Sequence, residues 1–226
     1  MPLALFDLDN TLVDRTAAYR EWARWFAQRH QLDPPTLMAW FLDTDADGTT
    51  ALAQTLELAR ARFDLSASVA ELVAAHDESI HRFYRLDDSV AAGLRRLRAD
   101  GWRLAVVTNG RFAQERIIVA TGLHRLVDGW AVSSTEGVAK PDRALFEIAA
   151  LRAGARLDRA WMVGDSPGDD VVAAHHLGLT TAWIHRGRAW PLRDVHPDHT
   201  VTSVAAAITT MIGGFVSVSG PRFSDQ

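Results

Sequence analysis

Two aspartates, Asp7 and Asp9, stand one residue apart directly after a short apolar run over residues 3–6. A short, uninterrupted apolar run is typical of a strand that is buried on both faces of a sheet. Since alternate residues of a strand face the same side, both carboxylates can be presented together at its carboxyl edge. Two unpaired carboxylates there repel each other unless a cation or a proton intervenes. The spacing therefore indicates metal-assisted chemistry.

Three further polar segments follow predicted strands or lie in the loop beside one. In an open α/β sheet, ligands bind outside the carboxyl ends of the strands, so we expect these segments to converge with the two aspartates. They are Thr108-Asn109-Gly110, Lys140-Pro141, and Gly164-Asp165 with the pair Asp169-Asp170.

Lys140 is the only lysine among 24 basic residues, and the other 23 are arginine. A bias towards arginine accounts for the majority but does not explain why one lysine is kept. A compact ammonium cannot be replaced by a guanidinium where a point charge must fit a tight anionic site. The pattern therefore favours a functional Lys140 over chance.

A helical block separates the first strand from the rest of the chain. Tyr19, Trp22 and Phe26 recur at spacings of three and four, and the whole block shows no convincing strand. Beyond residue 88, predicted helices alternate with predicted strands at 103–108, 130–133, 160–165, 180–184 and 200–202. Alternation of this kind implies a mainly parallel sheet with helices on both faces.

The predicted fold class is therefore α/β, with a Rossmann-like three-layer core and an inserted all-helical cap. We expect the core to comprise residues 1–14 and 89–212, and the cap to comprise residues 15–88. Residues 213–226 are rich in glycine and serine and are predicted to form a flexible tail.

Composition narrows the class of protein. With 226 residues and 48% hydrophobic content, the chain can bury a substantial core, while a net charge of −4 argues against a dedicated nucleic-acid binder. The absence of cysteine excludes disulfides, thiolate metal sites and a cysteine nucleophile. No signal-peptide pattern and no apolar run near 18 residues occurs. We expect a cytoplasmic protein, monomeric or homodimeric, without membrane or nucleic-acid partners.

In chain order, these motifs resemble the four motifs of the haloacid dehalogenase (HAD) superfamily. They are Asp-x-Asp-x-Thr at 7–11, a Thr that ends an apolar strand at 108, Lys-Pro at 140–141, and Gly-Asp-Ser-x-x-Asp-Asp at 164–170. One motif alone would be weak support, but four in order are specific, and the resemblance covers residues 3–212. The helical insert after the first motif resembles the cap subclass shared by phosphoglycolate phosphatase-like and haloacid dehalogenase-like members.

A phosphatase of this kind needs a nucleophile, a proton source and charge neutralisation. Asp7 is predicted to attack phosphorus and form an aspartyl-phosphate. Asp9 is predicted to protonate the leaving oxygen and later to take a proton from the attacking water. Mg²⁺, which prefers oxygen ligands, would be held by Asp7 and Asp165, and the family resemblance adds the backbone carbonyl of Asp9.

The remaining motif residues are predicted to bind or support the phosphoryl group. The Thr108 hydroxyl, the Asn109 backbone N–H and the Lys140 ammonium would hold phosphoryl oxygens in the transition state. Asp170, rather than Asp169, would support the metal's waters or orient the lysine.

Three readings of the activity stay open. Asp9 favours a phosphatase that acts on a small phosphorylated metabolite over a dehalogenase, because halide leaves without a proton and an alkoxide does not. A phosphomutase or phosphotransferase, which passes the phosphoryl group to a sugar, is the first alternative. A receiver-like phospho-switch without turnover is the second, although receivers carry no helical insert of this size.

An acidic turn at 43–48 matches the first half of a calcium-binding EF-hand loop. Gln54 stands where that loop needs a bidentate glutamate, so we reject a calcium site there. The turn is expected instead to cap the following helix, and contact with a substrate's leaving group is a further possibility.

Overall fold

The computed structural model describes residues 1–218 of the chain. The chain divides into two compact units. The first comprises Met1–Leu12, Leu86–Asn109 and the described residues from Leu123 onward, and the second comprises Val13–Arg85 and Gly110–Gly122. Within the described residues the α-helices are α1 (Arg15–Arg29), α2 (Pro34–Asp45), α3 (Leu52–Arg62), α4 (Val69–Ser79), α5 (Asp88–Ala99), α6 (Ala113–Ala120), α7 (Ser133–Glu136), α8 (Arg143–Arg152), α9 (Ala173–His176) and α10 (Val204–Val218).

The first unit is built on a six-stranded sheet in which all neighbouring strands are parallel. The strand order is β3-β2-β1-β4-β5-β6, so the first strand of the sequence lies between the second and the fourth. This architecture confirms the predicted α/β fold class with a parallel sheet. The strands are β1 (Leu3–Phe6), β2 (Arg103–Thr108), β3 (Gly129–Val132), β4 (Trp161–Gly164), β5 (Thr180–Ile184) and β6 (His199–Val201).

Alternate residues of the central strands bury one face of the sheet against α8. Leu3 and Leu5 of β1 belong to the same buried cluster as Leu145 and Phe146 of α8. Burying one such side chain contributes about 1.5–3 kcal/mol, so this layer is a main source of the unit's stability. Helices α5 and α10 also pack on one another, and α10 contacts β5 and β6.

The regular elements described in the second unit are all helices, and the unit has an aromatic core. Tyr19, Trp22 and Phe26 of α1 surround Phe41 of α2, with ring centroids 5.5–5.9 Å from that of Phe41. The indole N–H of Trp22 donates to the Ser79 hydroxyl at 3.0 Å, which satisfies its only polar atom. The periodic aromatics of the sequence are therefore core residues of this unit.

The boundary of the helical unit differs from the predicted insert at 15–88. Helix α6 packs against the 3₁₀ turn Ile80–Phe83, so the second unit also contains residues 110–122. A contiguous insert cannot include this helix, because it lies after β2 in the sequence. The assignment of residues 15–88 as a cap stays a prediction.

The predicted tail at 213–226 differs in its first six residues, which continue α10 to Val218. A glycine inside a helix costs about 1 kcal/mol relative to alanine, which weakens a helix without ending it. The remainder of that prediction lies outside the described residues. Among the described helices, none is both long enough and apolar enough to cross a membrane.

The sequence suggested that the acidic turn at 43–48 caps α3, but the structure shows that it does not. Asp45 ends α2, and its carboxylate accepts hydrogen bonds from both terminal nitrogens of Arg15 at 2.7 and 2.8 Å and from the Gly48 N–H at 2.8 Å. Helix α3 begins after Ala51, which makes no side-chain capping bond. The prediction was wrong because the Asp45 carboxylate binds Arg15 of α1 instead of the first turn of α3.

Candidate active site

The site begins where β1, β2 and β4 end. Asp7 follows β1 and continues its pairing, since its N–H donates to the Val163 carbonyl of β4 at 2.9 Å. Thr108 is the last residue of β2, and Asp165 follows the last residue of β4. Because the strands are parallel neighbours, these three residues emerge at the same edge of the sheet. Asp7 and Thr108 are buried, with exposed fractions of 7% and 1%.

Lys140 lies between two of the carboxylates. Its Nζ donates to Asp7 Oδ1 at 2.7 Å and to Asp170 Oδ1 at 2.6 Å, and all three side chains are buried or nearly so. Burial lowers the pKa of Lys140, but the two neighbouring carboxylates outweigh it and raise the pKa above its ordinary value. The side chain is therefore a buried, protonated ammonium with two charge-assisted hydrogen bonds.

The Asn109 side chain fixes the backbone that carries this lysine. Asn109 Oδ1 accepts from the Lys140 N–H at 2.7 Å, and Asn109 Nδ2 donates to the Lys140 carbonyl at 2.9 Å. The sequence pointed only to the backbone N–H of Asn109. The structure adds a side-chain role, in which the residue after β2 holds the Lys140 loop from both sides of the lysine's backbone.

Asp170 is placed by an irregular turn of helix. Residues Pro167–Val172 form a π-helical turn, whose first turn is capped by the Ser166 hydroxyl through the Asp169 N–H at 3.3 Å. Asp170 Oδ2 accepts from the Ser166 N–H at 2.9 Å, which leaves Oδ1 for the lysine. Burial and the Asp7 charge raise the pKa of Asp170 to about 7, while Lys140 acts in the opposite direction.

Gly164, the last residue of β4, makes room for Asp170. A Cβ at this position would overlap the carboxylate of Asp170, so the two groups exclude each other. The backbone of Gly164 is not in the left-handed region, and its lack of a side chain matters only for this close approach. The Gly-Asp-Ser-x-x-Asp-Asp motif thus has a steric reason for its first residue.

Asp165 is held by two arginines that the sequence motifs do not include. Its Oδ2 accepts from Arg186 Nη1 at 3.0 Å and from Arg188 Nη2 at 3.1 Å. Burial and the nearby Asp7 raise the pKa of Asp165, and the two guanidiniums oppose that rise. Both arginines follow β5, so they lie at the same edge of the sheet as the aspartates that follow β1 and β4.

Carboxylate oxygens of Asp7, Asp165 and Asp170 lie within 4.8 Å of one another. Three converging carboxylates are a donor set that suits a hard cation such as Mg²⁺, so the residues fit the ion expected from the sequence. The Asp9 side chain is half-buried and is not one of the three. Asp169 is likewise outside this cluster, and its Oδ2 accepts from Asn109 Nδ2 at 3.4 Å.

Comparisons with known proteins give the family. The profile of the haloacid dehalogenase-like hydrolases matches residues 1–178. A phosphoserine phosphatase from Thermus thermophilus is 36% identical over 107 residues, which are 47% of this chain and 43% of that protein. A plasmid phosphoglycolate phosphatase from Cupriavidus necator is 30% identical over 193 residues, which are 83% of this chain and 82% of that protein.

Some relatives are matched only in part: the chain spans about half the length of the first curated relatives it matches. Among solved structures, the HAD-hydrolase YfnB from Bacillus subtilis, bound to magnesium, superposes with a TM-score of 0.76 at 18% identity, covering 93% of this chain and 98% of that one. This likeness concerns the fold alone. Because the family profile spans well over half of the sequence, the protein belongs to the haloacid dehalogenase-like hydrolase family.

Proposed function

We propose that the protein is a Mg²⁺-dependent phosphatase that hydrolyses the phosphate ester of a small metabolite through an aspartyl-phosphate on Asp7. The observation that carries the proposal is the buried contact of Lys140 with Asp7, beside a cluster of three carboxylates at one edge of the sheet. An anionic phosphoryl group needs a nucleophile with positive charge beside it, and this pair supplies both.

Each residue has a proposed task. The Asp7 oxygen attacks phosphorus, the bond to the ester oxygen breaks, and Asp9 gives its proton to the departing alkoxide. Lys140 and the Thr108 hydroxyl hold phosphoryl oxygens while the charge redistributes. Asp7 and Asp165, with the Asp9 carbonyl as a further ligand, would hold Mg²⁺, which would supply charge neutralisation for the phosphoryl oxygens.

In the second half of the reaction, Asp9 takes a proton from water, and the resulting hydroxide attacks the phosphorus of the aspartyl-phosphate. The bond to the Asp7 oxygen breaks, which releases inorganic phosphate and restores the carboxylate. Asp170 keeps the ammonium of Lys140 in place through its 2.6 Å hydrogen bond. The orienting role of Asp170 is thus part of the proposal.

Asp9 supports a phosphatase over a dehalogenase. A halide leaves as an anion without protonation, whereas an alkoxide is a poor leaving group until it receives a proton. An acid two residues after the nucleophile is therefore useful only for the ester. The two sequence relatives described above are named as phosphatases, of phosphoserine and of phosphoglycolate, which favours a small phosphorylated metabolite as substrate.

The choice of metabolite is assigned to the helical block at 15–88, which stays a prediction from the sequence. A monomer or homodimer in the cytoplasm, without nucleic-acid or membrane partners, is likewise the expectation. A phosphomutase differs only in the acceptor of the phosphoryl group, and a receiver-like switch differs in lacking turnover.

The test is phosphate release from a panel of phosphorylated metabolites and a generic aryl phosphate, with and without Mg²⁺. We expect multiple turnovers that require Mg²⁺, and a loss of at least about 1,000-fold in kcat for Asp7→Asn, which removes the nucleophile. Asp9→Asn should slow alkyl esters more than an aryl ester, because an aryloxide needs less help from a proton.

Arg193→Gln serves as a control, since this exposed arginine lies outside the site. Equal phosphate release by the wild type and Asp7→Asn would refute the proposal. Transfer of phosphate to an added sugar phosphate, rather than to water, would favour the phosphomutase. A single phosphorylation without turnover would favour the switch.

A further inference from the structure

The loop after β5 carries two arginines that converge on Asp165. Arg186 lies at φ +49° and Gly187 at φ +78°, so the chain takes a left-handed course directly after His185. For a non-glycine residue this conformation is disfavoured and persists where the surroundings hold it. The loop is held by hydrogen bonds from Gly187 N–H to His185 Nδ1 at 2.9 Å and from Arg188 N–H to the His185 carbonyl at 2.8 Å.

Arg188 donates hydrogen bonds to both the backbone and the side chain of Asp165. Its Nη2 donates to the Asp165 carbonyl at 2.6 Å as well as to Oδ2 at 3.1 Å. The indole N–H of Trp183, a buried residue of β5, donates to the same carbonyl at 3.0 Å. The guanidinium of Arg188 also lies 5.9 Å from the centre of the Trp183 ring. The backbone and the carboxylate of Asp165 are thus both fixed from β5 and its loop.

The positive charges of the arrangement at least match its negative ones. Asp7, Asp165 and Asp170 carry at most three negative charges, whereas Lys140 together with the two arginines carries three positive ones. Both guanidiniums bind the same Asp165 oxygen, Oδ2, at 3.0 and 3.1 Å. One oxygen of Asp165 is therefore committed to arginine, and the carboxylate still has a second oxygen to offer to a cation.

We infer that Arg186 and Arg188 form an arginine clamp that orients Asp165 and weakens the binding of Mg²⁺ when no phosphate is present. This inference rests on the metal site of the proposed function. The arginines are positioning residues, because they act on the metal site through the carboxylate of Asp165. The substrate's negative charge would restore the attraction that the clamp removes, so Mg²⁺ and phosphate would bind with positive cooperativity.

Removal of the clamp has two opposing effects on the affinity for Mg²⁺. Without the arginines, the Asp165 side chain would populate more rotamers, and ordering it again when the ion binds would weaken metal binding by about twofold to fivefold. Removing a positive charge a few ångströms from a divalent ion strengthens binding by about tenfold or more at an effective dielectric constant suited to a partly exposed site. The charge effect is larger, so we expect tighter binding.

The experiment is calorimetric titration of MgCl₂ into the full-length protein without phosphate. We expect Arg186→Gln and Arg188→Gln each to bind Mg²⁺ several-fold more tightly than the wild type, and the double variant about tenfold more tightly or better. Arg188→Lys keeps the charge and should change the affinity by less than about twofold. Arg193→Gln removes the same charge from the same loop at an exposed position, and should leave the affinity unchanged.

A second titration in the presence of inorganic phosphate measures the cooperativity. The wild type should bind Mg²⁺ more tightly with phosphate than without it, and this difference should be smaller in the double variant, in which only the direct attraction between Mg²⁺ and phosphate remains. Unchanged or weaker Mg²⁺ binding in folded glutamine variants would overturn the clamp and leave the proposed function intact. Absence of Mg²⁺ binding by the wild type, with phosphate as well as without it, would overturn both. Tighter binding in the variants of a protein without phosphatase turnover would keep the clamp and overturn the phosphatase.

Discussion

Replacement of Gly164 by alanine is the sharpest test of how the site is packed. The new methyl group would occupy the position of the Asp170 carboxylate, which must then leave Lys140 and the Ser166 N–H. Loss of a charge-assisted hydrogen bond and of a buried backbone partner together costs about 3–5 kcal/mol. For a chain of this size, that loss lowers the midpoint of thermal unfolding by about 6–20 °C.

The double variant separates this steric cause from a general effect of alanine in β4. If the methyl group acts by displacing Asp170, then Gly164→Ala should add less than about 0.5 kcal/mol to the destabilisation caused by Asp170→Gly alone, because that variant also removes the Asp170 Cβ, which would lie 2.6 Å from the new methyl group. Gly168→Ala is the control, because a Cβ there would meet no atom within 4 Å. Chemical denaturation of the four variants and the wild type measures these differences. Additive losses in the double variant, or a Gly164→Ala protein as stable as the wild type, would refute the reasoning.

Two further predictions concern parts of the chain away from the carboxylate cluster. Burial raises the pKa of Asp77, but hydrogen bonds from His76 and Arg111 outweigh it and lower the pKa to about 2. These contacts therefore stabilise the fold above about pH 4, and their contribution is lost as the pH falls through 2. The wild type should be more stable than Asp77→Asn by up to about 1 kcal/mol at pH 6, after allowance for exposure, and the difference should disappear below about pH 2 in urea titrations. Asp128→Ala removes the acceptor of the Leu104 N–H, which lies at 2.9 Å, and should cost about 1–3 kcal/mol in urea denaturation; a variant with unchanged stability would show that water replaces the carboxylate.

The sheet could be predicted from the sequence because its strands are short apolar runs with polar residues at their ends. The same rule explains why Asp7, Lys140 and Asp165 could be nominated as neighbours, since parallel strands deliver their carboxyl ends to one edge. Their proposed roles in catalysis remain predictions. Distances such as the 2.7 Å between Lys140 and Asp7 are consistent with those roles.

Other features depend on tertiary contacts that no local pattern reports. Helix α6 joins the helical unit because it packs on the turn Ile80–Phe83, which is separated from it by β2 and α5. The position of Arg186 and Arg188 after β5 places them at the right edge of the sheet, but their contact with Asp165 depends on the left-handed backbone of Arg186, and a non-glycine residue gives no signal for that conformation. The side chain of Asn109 was missed because its two bonds reach a loop 31 residues away.

The central position of β1 affects the order in which the molecule can be assembled. Leu3 pairs with Arg103, and Ala4 pairs with Trp161, so β1 leaves the ribosome about 100 and 160 residues before its two partner strands. Until β4 has been synthesised, Asp7 has neither the Val163 carbonyl nor Asp165 beside it. We therefore expect nascent chains that stop between β2 and β4 to leave one edge of β1 unpaired and prone to aggregation, and to bind no divalent ion at Asp7.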